Sequence, residues 1–338
     1  MKNHHQQCLR WDHDNLMEPA IGVLSNPLSG GNKRGLSSIK KILKNRPEVL
    51  HREARDPAEI ANVLAAFGKA GIKLLVINGG DGTIQAVLTS LFNRKPFDHI
   101  PPLAILKAGT TSMTAGDIGL PGRGNQALSR LLFQLQNNRK IRIIQRPVLE
   151  VQNGSTASRF GMFFGAAAIP QGIEFFHQRV NRHGLRGELG PGLVMFRFLL
   201  AMLGFQRRKI LRAVHMTIHL NQQHEATEND YLVVLVSSLE RLFFGLHPYW
   251  GKEDSPLHFT SVSIKPRYML RTILQLTRRQ RPQHATPEHG YRSHNVDQAT
   301  IHCTSPYTLD GQIYHPADEK SPITVRQGGT LSFVQLQP

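Results

Sequence analysis

The sequence predicts a two-domain chain: an α/β domain on a parallel sheet with helices on both faces, followed by a β-rich, sandwich-like domain. Three observations predict it. Short apolar runs alternate with helical segments up to about residue 143, strand-like runs without that alternation follow from residue 144, and glycine-rich turns recur where the early runs end. With 338 residues, 40% of them hydrophobic, the chain is long enough for two cores and too apolar to be disordered throughout.

Residues 1–17 hold His4, His5 and His13 without apolar periodicity and are expected to be a mobile tail. The α/β domain is expected over 18–143. Ile21 to Leu24 reads as a strand, Asn26 to Asn32 as a loop and Leu36 to Leu43 as a helix. Ala58 to Ala70 reads as an amphipathic helix, Lys73 to Ile77 as a buried strand, Thr83 to Phe92 as a helix and Leu103 to Leu106 as a third strand. Over 144–338 strands are expected at Val148 to Val151, Val214 to Leu220, Tyr231 to Ser237, Phe259 to Ile264 and Leu331 to Leu336. Helices are expected there at Pro191 to Leu203 and Tyr268 to Leu276, and an exposed loop at Arg278 to Glu288.

Lys and Arg number 41 against 24 Asp and Glu, a net charge of +17, and Arg179 to Arg281 alone holds 16 basic and 7 acidic residues. The excess predicts an anionic partner but does not choose among nucleic acid, nucleotide phosphate and lipid headgroup. No helix-turn-helix, zinc-finger or aromatic RNA-binding motif supports specific nucleic-acid binding. Two cysteines, Cys8 and Cys303, exclude a disulfide framework and a Cys-rich zinc site and fit a reducing compartment. Met1 to Asn15 lacks the apolar core of a secretory signal. The longest apolar stretch, Leu193 to Phe205, is interrupted by Arg197 and falls short of the ~20 residues that span a bilayer. A cytoplasmic protein is therefore expected, peripheral on the inner face of the membrane if it meets lipid.

The sharpest local feature is Leu74 to Thr83, a buried strand running into Gly79-Gly80-Asp81-Gly82-Thr83 and a helix. Glycines let backbone amides approach an anion, and the helix N-terminus aims its orphan N–H groups and positive dipole at the same point. Asp81 at that mouth has three readings: it holds magnesium, accepts a proton from an attacking hydroxyl, or simply caps the helix. A second loop, Ser25 to Arg34, carries Asn26, Pro27, Ser29 and Gly30 ahead of Lys33 and Arg34. It has neither a P-loop ending nor a dinucleotide glycine spacing. A third, Lys107 to Ala115, carries Gly109, Thr110, Thr111 and Ser112. Loops at successive strand ends of an open α/β sheet share one crevice beyond the carboxyl ends of the strands, so the three are expected to form one phosphate site.

In this order the motifs Asn26-Pro27 with Ser29-Gly30, Gly79 to Thr83 and Gly109-Thr110-Thr111 resemble those of the diacylglycerol kinase catalytic family, which includes bacterial lipid kinases and sphingosine kinases. Phe163 to Ala167 and Leu309-Asp310-Gly311-Gln312 are similar to that family's later glycine-containing turn and Asp-Gly-Glu motif. The resemblance implies an NAD kinase/diacylglycerol kinase-like first domain carrying ATP and a second, sandwich-like domain, with the site in the cleft between them. It implies transfer of the ATP γ-phosphoryl, with Mg2+, to a lipid hydroxyl such as that of diacylglycerol. By motif position Asp81 would be the metal-linked and proton-accepting acid, with Asp310 and Gln312 beside it as catalytic residues. Asn26, Pro27, Ser29, Gly30, Gly79, Gly80, Gly82, Thr83, Gly109, Thr110, Thr111 and Ser112 would surround the nucleotide, and Glu174, Arg182 and Arg186 would line the cleft near the acceptor headgroup or the ATP phosphates, the bland reading of these charges being a solvated helix surface.

Two positions depart from the family pattern: Ser112 stands where Asn is common, and Gln312 where the motif has Glu. A neutral amide cannot supply a carboxylate's charge, so a catalytically weakened nucleotide- or lipid-binding member is the alternative. Two segments are candidates for peripheral membrane contact, Gly192 to Phe205 with Arg207-Arg208-Lys209, and Leu242 to Trp250; the bland reading makes both of them core.

Overall fold

The computed structural model describes residues 7–9, 20–109, 112–137, 139–174, 212–221, 226–242, 245–318 and 321–336. The chain divides into two compact units, Met1–Arg146 with Thr330–Pro338, and Pro147–Gly329. The expected division at residues 143 and 144 follows sequence order throughout, whereas the compact units do not, because Thr330–Pro338 groups with the first of them.

In the first unit, Gln7–Leu9 (β1) lies within the stretch expected to be a tail. Ile21–Ser25 (β2) leads into Asn32–Leu43 (α1), then Val49–Glu53 (β3), Pro57–Lys69 (α2), Leu74–Gly79 (β4), Asp81–Arg94 (α3) and Leu103–Lys107 (β5). Met113–Ile118 (α4) and Gly124–Gln136 (α5) follow, before Ile141–Asn153 (β6), whose first residues pair antiparallel with β1. The sheet order is β3-β2-β4-β5, all parallel, and Phe333 of the returning C-terminus pairs parallel with Leu103 on the free side of β5.

Every residue of β2 and β4 is buried, as strands covered on both faces must be. Alternate residues serve the two sides. Ile21, Val23, Leu74, Val76, Ala104 and Leu106 form a core with Leu36, Ile39 and Leu43 of α1 and Leu128, Leu131 and Leu135 of α5. On the other side Gly22 leaves room for α2: a Cβ there would stand 2.8 Å from the Phe67 ring. Helix α2 starts where Asp56 accepts the amides of Ala58 and Glu59 ahead of Pro57, a capped N-terminus with proline in the first turn.

Helix α1 begins at Asn32, earlier than the apolar periodicity indicates, because its first turn is polar and faces the site. β3, α4 and α5 were not anticipated. β3 is half-buried and carries His51, Arg52 and Glu53 in place of an apolar run.

The second unit is antiparallel and strand-rich. After β6 come Arg159–Gly161 (β7), Phe163–Ala167 (β8), Val214–Leu220 (β9), Thr227–Ser237 (β10) and Leu257–Ser263 (β11). The helix Met269–Thr277 follows, then Tyr291–Val296 (β12), Gln298–His302 (β13), Tyr307–Leu309 (β14), Gln312–Tyr314 (β15) and Ile323–Gln335 (β16). β10 organises it, pairing with β9 along its first half, with β8 along its second, and with β11 on its other edge. Inward-facing residues of these strands, among them Phe164, Met216, Ile218, Tyr231, Val234, Phe259, Tyr307 and Val325, form one core. The helix expected at Pro191 to Leu203 lies outside the described residues. No helix among the described residues is long and apolar enough to cross a membrane.

Candidate functional site

The carboxyl ends of β2, β4 and β5 stand side by side, with Ser25 opposite Asn78 and Gly79 opposite Lys107, so the three loops emerge at one edge of the first unit. Hydrogen bonds then tie them together. Ser29 Oγ accepts the Gly80 amide at 3.2 Å, Ala108 O accepts the Gly31 amide at 2.8 Å, and Asn26 Nδ2 donates to Thr83 Oγ1 at 2.9 Å. Beneath them Asn32 Nδ2 donates to the carbonyls of Asn26 and Asn78, at 2.7 and 2.9 Å, and Asn78 Nδ2 donates to Ser25 Oγ at 3.0 Å.

The glycines are where the backbones meet. A Cβ on Gly109 would stand 2.8 Å from the Gly80 Cα, one on Gly31 3.0 Å from the Ala108 carbonyl oxygen, and one on Gly79 2.5 Å from the Thr83 side chain. Within the first loop the Leu28 amide donates to Asn26 Oδ1 in an Asx turn. Pro27 is half-buried and Gly30 is exposed.

Asp81 is not the cap of its own helix. Gly80 is the N-cap of α3, without a side-chain cap bond, and Asp81 and Gly82 are its first helical residues, whose amides have no intrahelical acceptor. The Asp81 carboxylate reaches instead to α4, accepting the Met113 amide on Oδ2 and the Thr114 amide on Oδ1, each at 2.9 Å. Burial pushes its pKa above the ordinary carboxylate value, and the two amides oppose that rise. Each oxygen spends one lone pair on α4 and keeps another for a further donor or a cation. Helix α1 likewise starts at Gly31 without a side-chain cap. There the Ser29 carbonyl accepts the Asn32 and Lys33 amides, so the N-terminus of α3 is the one whose first amides stay open, and it shares the edge with the glycine loops and one carboxylate, an arrangement able to hold phosphate and to handle a proton beside it.

Ser112 occupies the left-handed region with φ of 42° and donates its hydroxyl to the Gly109 carbonyl at 2.8 Å. Thr110 and Thr111 lie outside the described residues, as do Arg182 and Arg186; Glu174 is exposed. Asn32 and Asn78 were missed by the sequence reading. A buried asparagine ending an otherwise apolar strand, immediately before Gly79, was the available signal.

In the second unit Asp310 and Gly311 have φ of 48° and 84° and connect β14 to β15, with Leu309 opposite Gln312, as a two-residue type I′ hairpin turn requires. Asp310 is 2% exposed. Its carboxylate accepts the amides of Met162, at 3.0 Å, and Phe163, at 2.9 Å, and its own amide donates to the Phe163 carbonyl. Gln312 is exposed beside this clamp. Of the two membrane-contact candidates, Gly192 to Phe205 with Arg207-Arg208-Lys209 lies outside the described residues. In the other, Pro248 is buried and its carbonyl accepts the Thr260 hydroxyl, Tyr249 stacks on His258 at 4.6 Å, Leu242, Leu246, His247, Tyr249 and Trp250 are half-buried, and Gly245 is exposed.

Residues 20–145 match the family model for the diacylglycerol kinase catalytic domain. Over 110 residues the chain is 29% identical to a "Probable lipid kinase YegS" of Shigella flexneri and 26% identical to a "Probable lipid kinase YegS-like" of Enterobacter sp. (strain 638). Each match covers 32% of this chain and 36% of the relative, so the chain matches about a third of the length of these curated relatives.

Two solved structures from Bacillus anthracis str. Sterne share the fold. One is described as a putative diacylglycerol kinase, with a TM-score of 0.61, 15% identity and coverage of 93% of this chain and 96% of that one. The other is described as a diacylglycerol kinase, with a TM-score of 0.58, 14% identity and the same coverage. The architecture read from the sequence, an α/β domain followed by an antiparallel strand-rich domain, is the one these structures have.

Proposed function

We propose that this protein is a lipid kinase that transfers the γ-phosphoryl of ATP to a lipid hydroxyl, diacylglycerol being the model acceptor. The observation that carries the reading is the convergence of three glycine-bearing loops at the N-terminus of α3, where Asp81 stands.

Bound ATP with Mg2+ would supply the transferable phosphoryl group and the charge that neutralises it. The loop amides orient and stabilise anionic oxygens without reorganising. Asn26, Ser29 and Thr83 fix the loops, and Gly80 and Gly109 let their backbones approach each other. Among the described residues no three His, Cys, Asp or Glu side chains are arranged to hold a metal. Magnesium would therefore take a single carboxylate, Asp81, and complete its oxygen shell from phosphate and water, as it commonly does on nucleotides. A carboxylate raised above its ordinary pKa is also a stronger proton acceptor for an attacking hydroxyl.

The alternative, a catalytically weakened nucleotide- or lipid-binding member, is favoured by Gln312 at the position of a glutamate in the resembled motif. Labelled-phosphate transfer from ATP into a panel of lipid acceptors, with product mass as readout, separates the two. A phosphorylated lipid that disappears with Asp81→Asn is expected; nucleotide binding without product would replace the kinase reading with the alternative. A large gain of turnover in Gln312→Glu would assign the weakening to that residue.

A further inference from the structure

The exposed apolar side chains of the second unit gather in one place. Ile264, Tyr268, Leu270 and Leu274 are 42, 47, 57 and 47% exposed, four of the six large exposed hydrophobics among the described residues. All four fall between the end of β11 and the end of the helix Met269–Thr277. That helix buries Thr272 and Leu276 against its own unit, which turns Leu270 and Leu274, one turn apart, outward as a ridge.

The ridge is set in positive charge. Between residues 264 and 281 stand Lys265, Arg267, Arg271, Arg278, Arg279 and Arg281, all exposed, and no Asp or Glu. Arg271 stands within the helix, next to Leu270 in sequence and three residues before Leu274, while Arg267 and Arg278 flank the helix at its two ends. Tyr268 is held in place at the helix start, 4.7 Å from the His284 ring and 5.0 Å from that of His289, with the Arg271 guanidinium 6.0 Å from its centroid.

We propose that this face docks on an anionic lipid surface, with the helix lying along the bilayer plane, Leu270 and Leu274 at the acyl boundary and the arginines among the headgroup phosphates. Charge complementarity selects this occupant: the six cations of the segment outnumber the exposed acids of its packed neighbours, Asp230 and Glu288, so the face suits a negatively charged plane, and an apolar ridge in its midst has no use on a polynucleotide backbone. Tyr268, with one end apolar and the other polar, suits the interface between water and hydrocarbon.

The test uses the full chain without nucleotide, sedimented with vesicles of phosphatidylcholine alone and of phosphatidylcholine with phosphatidylglycerol. Binding to the anionic vesicles, much weaker binding to the neutral ones and release at high salt are expected. Two independent variants follow, with circular dichroism and thermal melts checking that each remains folded. Leu270→Ser with Leu274→Ser should weaken vesicle binding by at least about tenfold. Arg267→Gln with Arg271→Gln and Arg278→Gln should weaken it by roughly a hundredfold.

Absence of binding by the native chain, or binding unchanged in both variants, overturns the proposal. So does a native dimer that the leucine variant converts to monomer, since a second copy would then cover the ridge, and so does a tighter complex with duplex nucleic acid than with anionic vesicles. Phosphorylation of a water-soluble short-chain diacylglycerol is measured separately: failure there counts against the kinase reading and leaves the vesicle result standing.

Discussion

A methyl group added at Gly109 should damage the site far more than the same group at Gly80, although the two residues face each other. The Cβ of Gly109→Ala would stand 2.8 Å from the Gly80 Cα and 3.0 Å from Ser112 Oγ, while that of Gly80→Ala would stand 3.3 Å from the Gly109 Cα. Carbon atoms pack at about 3.5–4.0 Å, so the first substitution is short by about 0.7 Å or more and the second by a few tenths. The first obstacle is backbone and cannot rotate away.

Overpacking of this kind costs about 1–3 kcal/mol if the loops hold, and the loops relieve it by separating. A displacement approaching 1 Å among positioning groups is worth about a hundredfold in rate. Gly109→Ala should therefore lose roughly two orders of magnitude in kcat/KM for ATP, and Gly80→Ala no more than about tenfold. Gly35→Ala in α1 is the control, because a Cβ there meets nothing within 4 Å and should stabilise by about 0.5–1 kcal/mol. Steady-state kinetics on the three variants, with thermal melts, decide the matter. Full activity in Gly109→Ala, or greater damage in Gly80→Ala, would refute the claim that the close approach of these loops forms the nucleotide site.

Asp310→Ala should cost about 2–4 kcal/mol in denaturant unfolding, because it strands two amides and puts alanine at positive φ; Asp310→Asn keeps an acceptor and suits the turn, so it should cost much less. If Asp310→Asn unfolds as easily as the alanine variant, the clamp is not what the carboxylate provides. Ser112→Asn should retain turnover with little net change in melting temperature, since asparagine accepts the left-handed region better than serine but gives up the buried hydroxyl's bond to the Gly109 carbonyl. In the second unit burial works upward on Glu253, but the Asn295 amide and His294 hold its pKa at about 2. That lowered pKa supplies stability fully present above pH 4.5 and lost as pH falls toward 2, so Glu253→Gln should flatten the acid limb of a stability-against-pH curve. His51, pushed below 6.5 chiefly by burial, adds a loss of stability as pH falls below 6.5, which His51→Gln should remove from thermal melts.

The features legible in the sequence are those written in contiguous residues. Strands β2, β4 and β5 are apolar runs and each loop follows its strand directly, so the sheet and its phosphate edge could be read from local pattern. What joins the loops could not. Asp81 is held by the amides of Met113 and Thr114, and an amide donor is the same at every non-proline residue, so no residue type marks the partner. Asp310 is legible in one respect only. Asp-Gly between two strands is a plain hairpin signal, while the clamp of its carboxylate on the Met162 and Phe163 amides joins positions far apart in sequence that no residue type marks.

The helix over Met269–Thr277 carries the argument one step further. Periodicity finds such a helix and, taken alone, would bury its richest apolar pair, Leu270 with Leu274. The fold buries Thr272 and Leu276 instead. Burying a leucine is worth about 1.5–3 kcal/mol, so exchanging that pair for one leucine and one threonine forgoes more than the threonine's packing returns. A surface that keeps such a pair outward, ringed by arginines that repel one another, is stabilised when a negatively charged apolar medium meets it, because that contact relieves the repulsion and the apolar exposure together. The residues that periodicity would place inside are therefore the ones whose substitution should leave folding in solution intact and weaken attachment to lipid.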